Sequence, residues 1–208
     1  MRKMKKNKPK AIILDAFDVL ISDGIRGMAR KMALEVGLAD WPEFFQQLPF
    51  WQENWHRLWR GEIDEREMER GITPQLGKER ARRFFMGWQG LTKADEKLVG
   101  LIRRLKTKGN LKLGLLVNTP PKLLEYLRQE IPLNLFDEVV FSCEVGVMKP
   151  DQRIFEIMVK KLGIRIEECL FIDDSQENIE SAKKLGMQTI QFKNQRDLER
   201  ELRVRGVI

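Results

Sequence analysis

The sequence predicts an α/β protein: a Rossmann-like parallel sheet core flanked by helices, with a small α-helical insert after the first strand. Three observations carry this. Residues 11–14 form a short, continuous apolar run of the kind expected for a strand buried on both faces. From about residue 92 onward, helical patterns and short apolar runs alternate regularly, the order that builds a parallel sheet through crossover helices. Between these regions lie all five tryptophans, Trp41, Trp51, Trp55, Trp59 and Trp88, within a stretch of helical periodicity.

Taken in order, the first element is Lys10 to Leu20, K-A-I-I-L-D-A-F-D-V-L, whose apolar run is closed by Asp15. A carboxylate at the carboxyl end of a parallel strand faces the crevice where ligands bind in open α/β sheets. Taken alone, Asp15 also suits an ordinary turn. In the insert, Leu48, Trp51, Trp55 and Leu58 follow i, i+3, i+7, i+10, with Trp59 one turn beyond Trp55. Together with Phe44, Phe45, Phe50, Phe84 and Phe85, this stripe is expected to bury itself as the insert's own core. His56, the single histidine, reads as an ordinary residue of that helix.

Thr92 and Asp95 predict a capped helix whose buried face is Leu98, Leu101, Ile102 and Leu105, ended by Gly109. A strand over 111–117 follows and ends at Asn118 and Thr119. A helix opening at Pro120 and Pro121 runs to about Gln129, and a strand spans 138–141. The run V-V-F-S-C-E-V-G-V-M is expected to end at Lys149, after which Ile154, Phe155, Met158 and Leu162 mark one helix face up to Gly163. A strand over 169–172 ends at Asp173 and Asp174. A helix to Leu185 and Gly186, a strand over 188–192 and a charged helix from about Gln195 complete the chain. The predicted division is a core of residues 1–21 and 94–208 around an insert of residues 22–93.

Composition sets the class. The chain has 208 residues, 42% hydrophobic and 33% charged, which describes a globular protein. Its formal charge is +7, but Arg2, Lys3, Lys5, Lys6, Lys8 and Lys10 supply six of these charges, leaving +1 elsewhere. The basic run therefore reads as a solvated terminus rather than a specific nucleic-acid or membrane site. Asp15 and Asp18 interrupt the only apolar run that could imitate a secretion signal, and no run approaches the roughly 18 apolar residues of a membrane span. A cytoplasmic protein, monomer or homodimer, is expected. Cys143 and Cys169 lie in or beside core strands without metal-ligand spacing, so reduced packing thiols are expected.

The stretches V-G-V-M-K-P-D-Q-R-I-F-E and F-I-D-D-S-Q-E-N-I-E-S-A-K-K-L-G, following Asp15 and Asn118 in order, give the chain its resemblance to the haloacid dehalogenase (HAD) superfamily of aspartate-nucleophile hydrolases. The resemblance implies that Asp15 is the nucleophile, forming an aspartyl-phosphate, and also a Mg²⁺ ligand, with Asp173 and Asp174 completing the metal site. It implies that Lys149 holds the phosphoryl oxygens and that Asn118 donates from its amide. It also makes the insert a cap domain that closes over the site and selects the substrate. The segment W-R-G-E-I-D-E-R-E-M resembles caps of the branch containing sugar-phosphate phosphatases and the N-terminal domain of epoxide hydrolases. Ser175 and Asn178 match the D-D-S-x-x-N form of the last motif, and both also read as caps of the helix that follows.

Two positions depart from that pattern. Phosphatases of the family usually carry a second Asp two residues after the nucleophile, which protonates the leaving alcohol; here Phe17 stands there, and Asp18 one position later reads as a turn residue. The second motif usually has Ser or Thr before its Asn. Here that position is Val117, with Thr119 as a candidate substitute hydroxyl. Three readings follow. The first is a Mg²⁺-dependent phosphatase of a small phosphorylated metabolite, with reduced activity toward leaving groups that need a proton. The others are a weakened scaffold that binds or regulates, and a metal-independent 2-haloacid dehalogenase, whose first motif resembles Asp15-Ala16-Phe17.

Overall fold

The computed structural model describes residues 8–21, 24, 27, 30–31, 33–34, 36–37, 48–86, 93–109 and 111–208. Five parallel strands, β1 (Ala11–Leu14), β2 (Lys112–Val117), β3 (Glu138–Phe141), β4 (Cys169–Asp173) and β5 (Gln188–Gln191), form one sheet in the order β3-β2-β1-β4-β5. The first strand is therefore the centre of the sheet. Ala11 to Leu14 pair with Lys112 to Leu115 on one side and Cys169 to Ile172 on the other. Such a strand needs apolar side chains on both faces, which is why its sequence shows no alternation.

The period of two divides β1 between two cores. Ile12 and Leu14 join Leu113, Leu115 and Ile172 on one face, beneath α4 (Glu96–Thr107), α5 (Pro121–Glu130) and α9 (Gln195–Val204). Ala11 and Ile13 join Leu116 and Phe171 on the other, beneath α7 (Gln152–Leu162) and α8 (Gln176–Lys184). Asp95 caps α4 by accepting from the Lys97 and Leu98 amides. Its expected companion Thr92 lies outside the described residues.

Three helices of the insert are described: α1 (Pro49–Trp59), α2 (Glu65–Leu76) and α3 (Lys78–Met86). Of the described aromatic stripe, Trp59, Phe84 and Phe85 are buried, in one cluster with the sheet core, while Phe50, Trp51 and Trp55 are half-buried against it. Trp51 meets the Phe84 ring edge-on at 6.2 Å, and Phe84 meets Phe85 edge-on at 5.2 Å. Gly71 lets the Phe50 ring pack directly on α2, since a Cβ there would fall 2.0 Å from Phe50 Cδ1. Trp41, Phe44, Phe45 and Trp88 lie outside the described residues. The chain leaves and rejoins the core at adjacent points, for Ile21 bridges Ala94 and the Asp95 amide donates to the Leu20 carbonyl at 2.7 Å.

One element differs from expectation. Lys149 does not end a strand: β3 stops at Phe141, and a short helix α6 (Ser142–Val145), closed by Gly146 at φ 70°, carries the chain onward to it. The apolar run V-V-F-S-C-E-V-G-V-M conceals this break, because Ser142 is buried although polar.

Phe155 of α7 packs edge-on against Phe171 of β4 at 5.1 Å, both fully buried. Phe155→Ala is expected to lower the unfolding free energy by about 3–5 kcal/mol. In urea denaturation this appears as a lower midpoint with an unchanged slope.

Candidate active site

The carboxyl ends of β1 and β4 are neighbours at the point where the strand order reverses, since the chain runs outward from β1 through β2 and β3, then returns to β4 and β5. That reversal opens a crevice between the connections. Two backbone bonds extend the pairing into it: the Asp15 amide donates to the Ile172 carbonyl and the Phe192 amide to the Asp173 carbonyl, both at 2.9 Å. Asp15 and Asp173 are thus held rigidly side by side.

Lys149 stands between them. Its Nζ lies 2.8 Å from Asp15 Oδ1 and 2.7 Å from Asp173 Oδ2, and the three residues are 2%, 6% and 0% exposed respectively. Asp173 also accepts from the Ser175 amide at 2.8 Å and from Asn178 Nδ2 at 3.1 Å to each oxygen. Asp174 is half-buried beside them. Oxygens of Asp15, Asp173 and Asp174 all lie within 4.8 Å of one another.

The electrostatics show a surplus of negative charge. Burial, reinforced by the neighbouring Asp173 carboxylate and opposed by Lys149, pushes Asp15 up to about 7. Burial and the charges of Asp173 and Asp18 raise Asp174 as well. Burial would pull Lys149 down, yet the two carboxylates outweigh it and its ammonium is held above the ordinary lysine value. Three carboxylates against one ammonium make a hard-oxygen set that fits a divalent cation such as Mg²⁺.

Asn118 clamps the backbone of Lys149: its Oδ1 accepts from the Lys149 amide at 2.8 Å and its Nδ2 donates to the Lys149 carbonyl at 2.9 Å. The amide expected to meet a ligand instead sets the lysine. Thr119 is fully buried, and its hydroxyl donates to the Pro120 carbonyl at 3.3 Å. That bond occupies the hydroxyl proton expected to substitute for the one missing at Val117. Val117 is itself buried, paired with Phe141.

Phe17 is sealed in the core. Asp18 adopts φ 56°, the left-handed conformation expected of a turn residue, and its carboxylate lies over the Gly24 backbone, where a Cβ would fall 1.6 Å from Asp18 Oδ2. Ser175 occupies the N-cap position of α8 but makes no side-chain cap bond, and Asn178 reaches back to Asp173 rather than capping. His56 is exposed on α1, stacked on Trp55. Cys143 and Cys169 are free thiols, pushed up to about 11 and about 12 by burial.

Sequence reading passed over Ser142. It is fully buried, accepts from the Thr119 amide at 2.9 Å and donates to the Trp59 carbonyl at 2.6 Å. Its signal in the sequence was a serine directly after an apolar strand; its partner 83 residues away left none.

The model of the haloacid dehalogenase-like hydrolase family matches residues 9–186. D-ribitol-5-phosphate phosphatase of Bacteroides thetaiotaomicron is 29% identical over 207 residues, 94% of this chain and 97% of that protein. Drimenol cyclase drtB of Aspergillus calidoustus is 28% identical over 156 residues, 72% of this chain but 29% of that protein, so this chain spans under a third of that relative. Among solved structures, a HAD family enzyme of Bacteroides thetaiotaomicron in its magnesium complex has a TM-score of 0.77 at 23% identity, covering 95% of this chain and 100% of that one, a likeness of fold.

Asp15 has a folded pKa above its unfolded value of about 3.9, so between these values the folded state keeps a proton that the unfolded state has released. Stability contributed by the protonated form is present at low pH and is lost as pH rises toward about 7. Glu65 and Asp174, also raised, act in the same direction; His56, lowered by burial and by Arg60, titrates within the window and opposes them, whereas the lowered Asp137, Asp151 and Glu168 titrate below it. Denaturation of metal-free protein is expected to show stability falling from about pH 4 to about 7, with Asp15→Asn flattening the decline and added Mg²⁺ opposing it most at the upper end.

Proposed function

The chain belongs to the haloacid dehalogenase-like hydrolases, and from that membership and the site's geometry we propose that it is a Mg²⁺-dependent phosphatase of a small phosphorylated metabolite. The observation that carries the reading is the buried Asp15 carboxylate paired with Lys149 inside a three-carboxylate set. The nearly coextensive phosphatase relative supports a small phosphate ester as the substrate.

A phosphate monoester brings close to two negative charges, so a carboxylate reaches phosphorus only where charge is neutralised. Mg²⁺, held by Asp15, Asp173 and Asp174, would supply that neutralisation and keep Asp15 ionised. Lys149, fixed by Asn118 and Asp173, presents its ammonium beside the attacking carboxylate and offsets charge on the phosphoryl oxygens. An Asp15 oxygen bonds to phosphorus as the bond to the leaving oxygen breaks. Water then cleaves the aspartyl-phosphate, releasing inorganic phosphate and restoring the carboxylate.

Phe17 brings no proton to the leaving oxygen, so the site favours esters and anhydrides whose leaving group departs as a stable anion. Residues 22–93 form the cap that selects among them. Dehalogenase chemistry fits less well, because three carboxylates balanced by the Lys149 ammonium alone, without a metal ion, would be costly in a buried site.

Hydrolysis of an aryl phosphate is expected to require Mg²⁺ and to fall about 10⁴- to 10⁶-fold in Asp15→Asn. Alkyl phosphates are expected to react about 10²- to 10⁴-fold more slowly than aryl ones, the share of rate that general acid catalysis supplies elsewhere. Metal-independent halide release from a 2-chloroacid, or folded protein that hydrolyses no phosphate, would overturn the phosphatase reading.

A further inference from the structure

We propose that Ser142 is a positioning residue that ties the helical insert to the turn setting Lys149, an inference resting on the phosphatase reading for its kinetic part. The observation is one hydroxyl bonded on both sides of the boundary. Ser142 Oγ donates to the carbonyl of Trp59, at the end of α1, and accepts from the amide of Thr119, in the core. Asn118, adjacent to Thr119, holds both backbone groups of Lys149, whose ammonium meets Asp15 and Asp173. The insert thus reaches the nucleophile through four short steps: Trp59, Ser142, the 118–119 turn, and Lys149.

Two further contacts dock the same segment of the insert. Helix α5 has Pro120 at its N-cap, which offers no side-chain acceptor, and the Lys122 amide is instead satisfied by Glu65 Oε1 at 2.8 Å, from the first turn of α2. Glu65 is 6% exposed, and burial raises its pKa although the Lys122 amide it accepts from opposes the shift. Gly61, at φ 70°, lies against Cys143, where a Cβ would fall 2.2 Å from the Cys143 carbonyl oxygen. Residues 59–65 therefore touch the core at Lys122 in α5 and at Ser142 and Cys143 in α6, the helices that follow Asn118 and precede Lys149. Both Ser142 bonds are buried, so losing the hydroxyl leaves a donor and an acceptor without water to replace it. A purely structural serine would cost stability alone; a positioning serine changes what Asn118 contributes to turnover.

The test is a double-mutant cycle on aryl phosphate hydrolysis with Ser142→Ala and Asn118→Ala, together with hydrogen exchange on the same proteins. Ser142→Ala is expected to lower kcat/KM about tenfold, chiefly through kcat, with Ser142→Thr recovering part of the loss. The combined variant is expected to lose about fivefold less than the product of the single losses. Exchange in Ser142→Ala is expected to quicken together in peptides 57–65 and 116–121 while 11–14 stays protected, and Glu65→Ala, loosening the same segment from its other end, should reproduce the change at 57–65. Multiplicative losses, or unchanged exchange at 57–65, overturn the proposal. Wild-type protein without phosphatase activity overturns the functional reading instead, and the exchange experiment then still decides the tether.

Discussion

A lysine ammonium buried between two carboxylates is the constraint on which the rest of the structure depends. Taking such ions out of water costs several kcal/mol each and is tolerable only when partners are placed closely and held there. Lys149 meets this with contacts of 2.8 and 2.7 Å to Asp15 and Asp173. Neither carboxylate is free to drift: the Asp15 amide carries the pairing one residue past β1, Asp173 is the last residue of β4, and its carboxylate also accepts from Ser175 and Asn178. The pair geometry thus follows from the register of β1 against β4.

The sheet order then explains why the site lies where it does. With β1 at the centre and the chain turning outward in opposite directions from β1 and β4, the two strand ends that carry carboxylates border the crevice left by the reversal. Lys149 arrives from the far side of β2 by way of α6, and Asn118 at the end of β2 bonds both its backbone groups. The same detour brings Ser142 and Cys143 against residues 59–65 of the insert. Packing of the insert and alignment of the lysine consequently share one set of buried hydrogen bonds.

The two departures from the family pattern have a common physical character. Phe17 and Val117 are apolar and fully incorporated in the core, so each has exchanged a polar function for packing. The charged machinery is untouched by either exchange. What remains is a set of three carboxylates around one ammonium, with no second aspartate two residues after Asp15.

The parallel sheet and its strands were legible because apolar runs, caps and glycine stops are local signals. Asp15, Lys149, Asp173 and Asp174 were legible because the motif spacing around them is long and ordered. The insert's aromatic stripe was readable from its helical period, and the described part of it packs as that period requires. The roles of Asn118, Thr119, Asn178 and Ser142 were not readable in this way. Each depends on which backbone group stands opposite a side chain after folding, and those partners lie between 1 and 83 residues away with no pattern linking them. The sequence by itself determined which charges enter the crevice; the tertiary structure decided which polar atoms are used up in holding them there, because a hydrogen bond depends on three-dimensional approach that one-dimensional spacing does not encode.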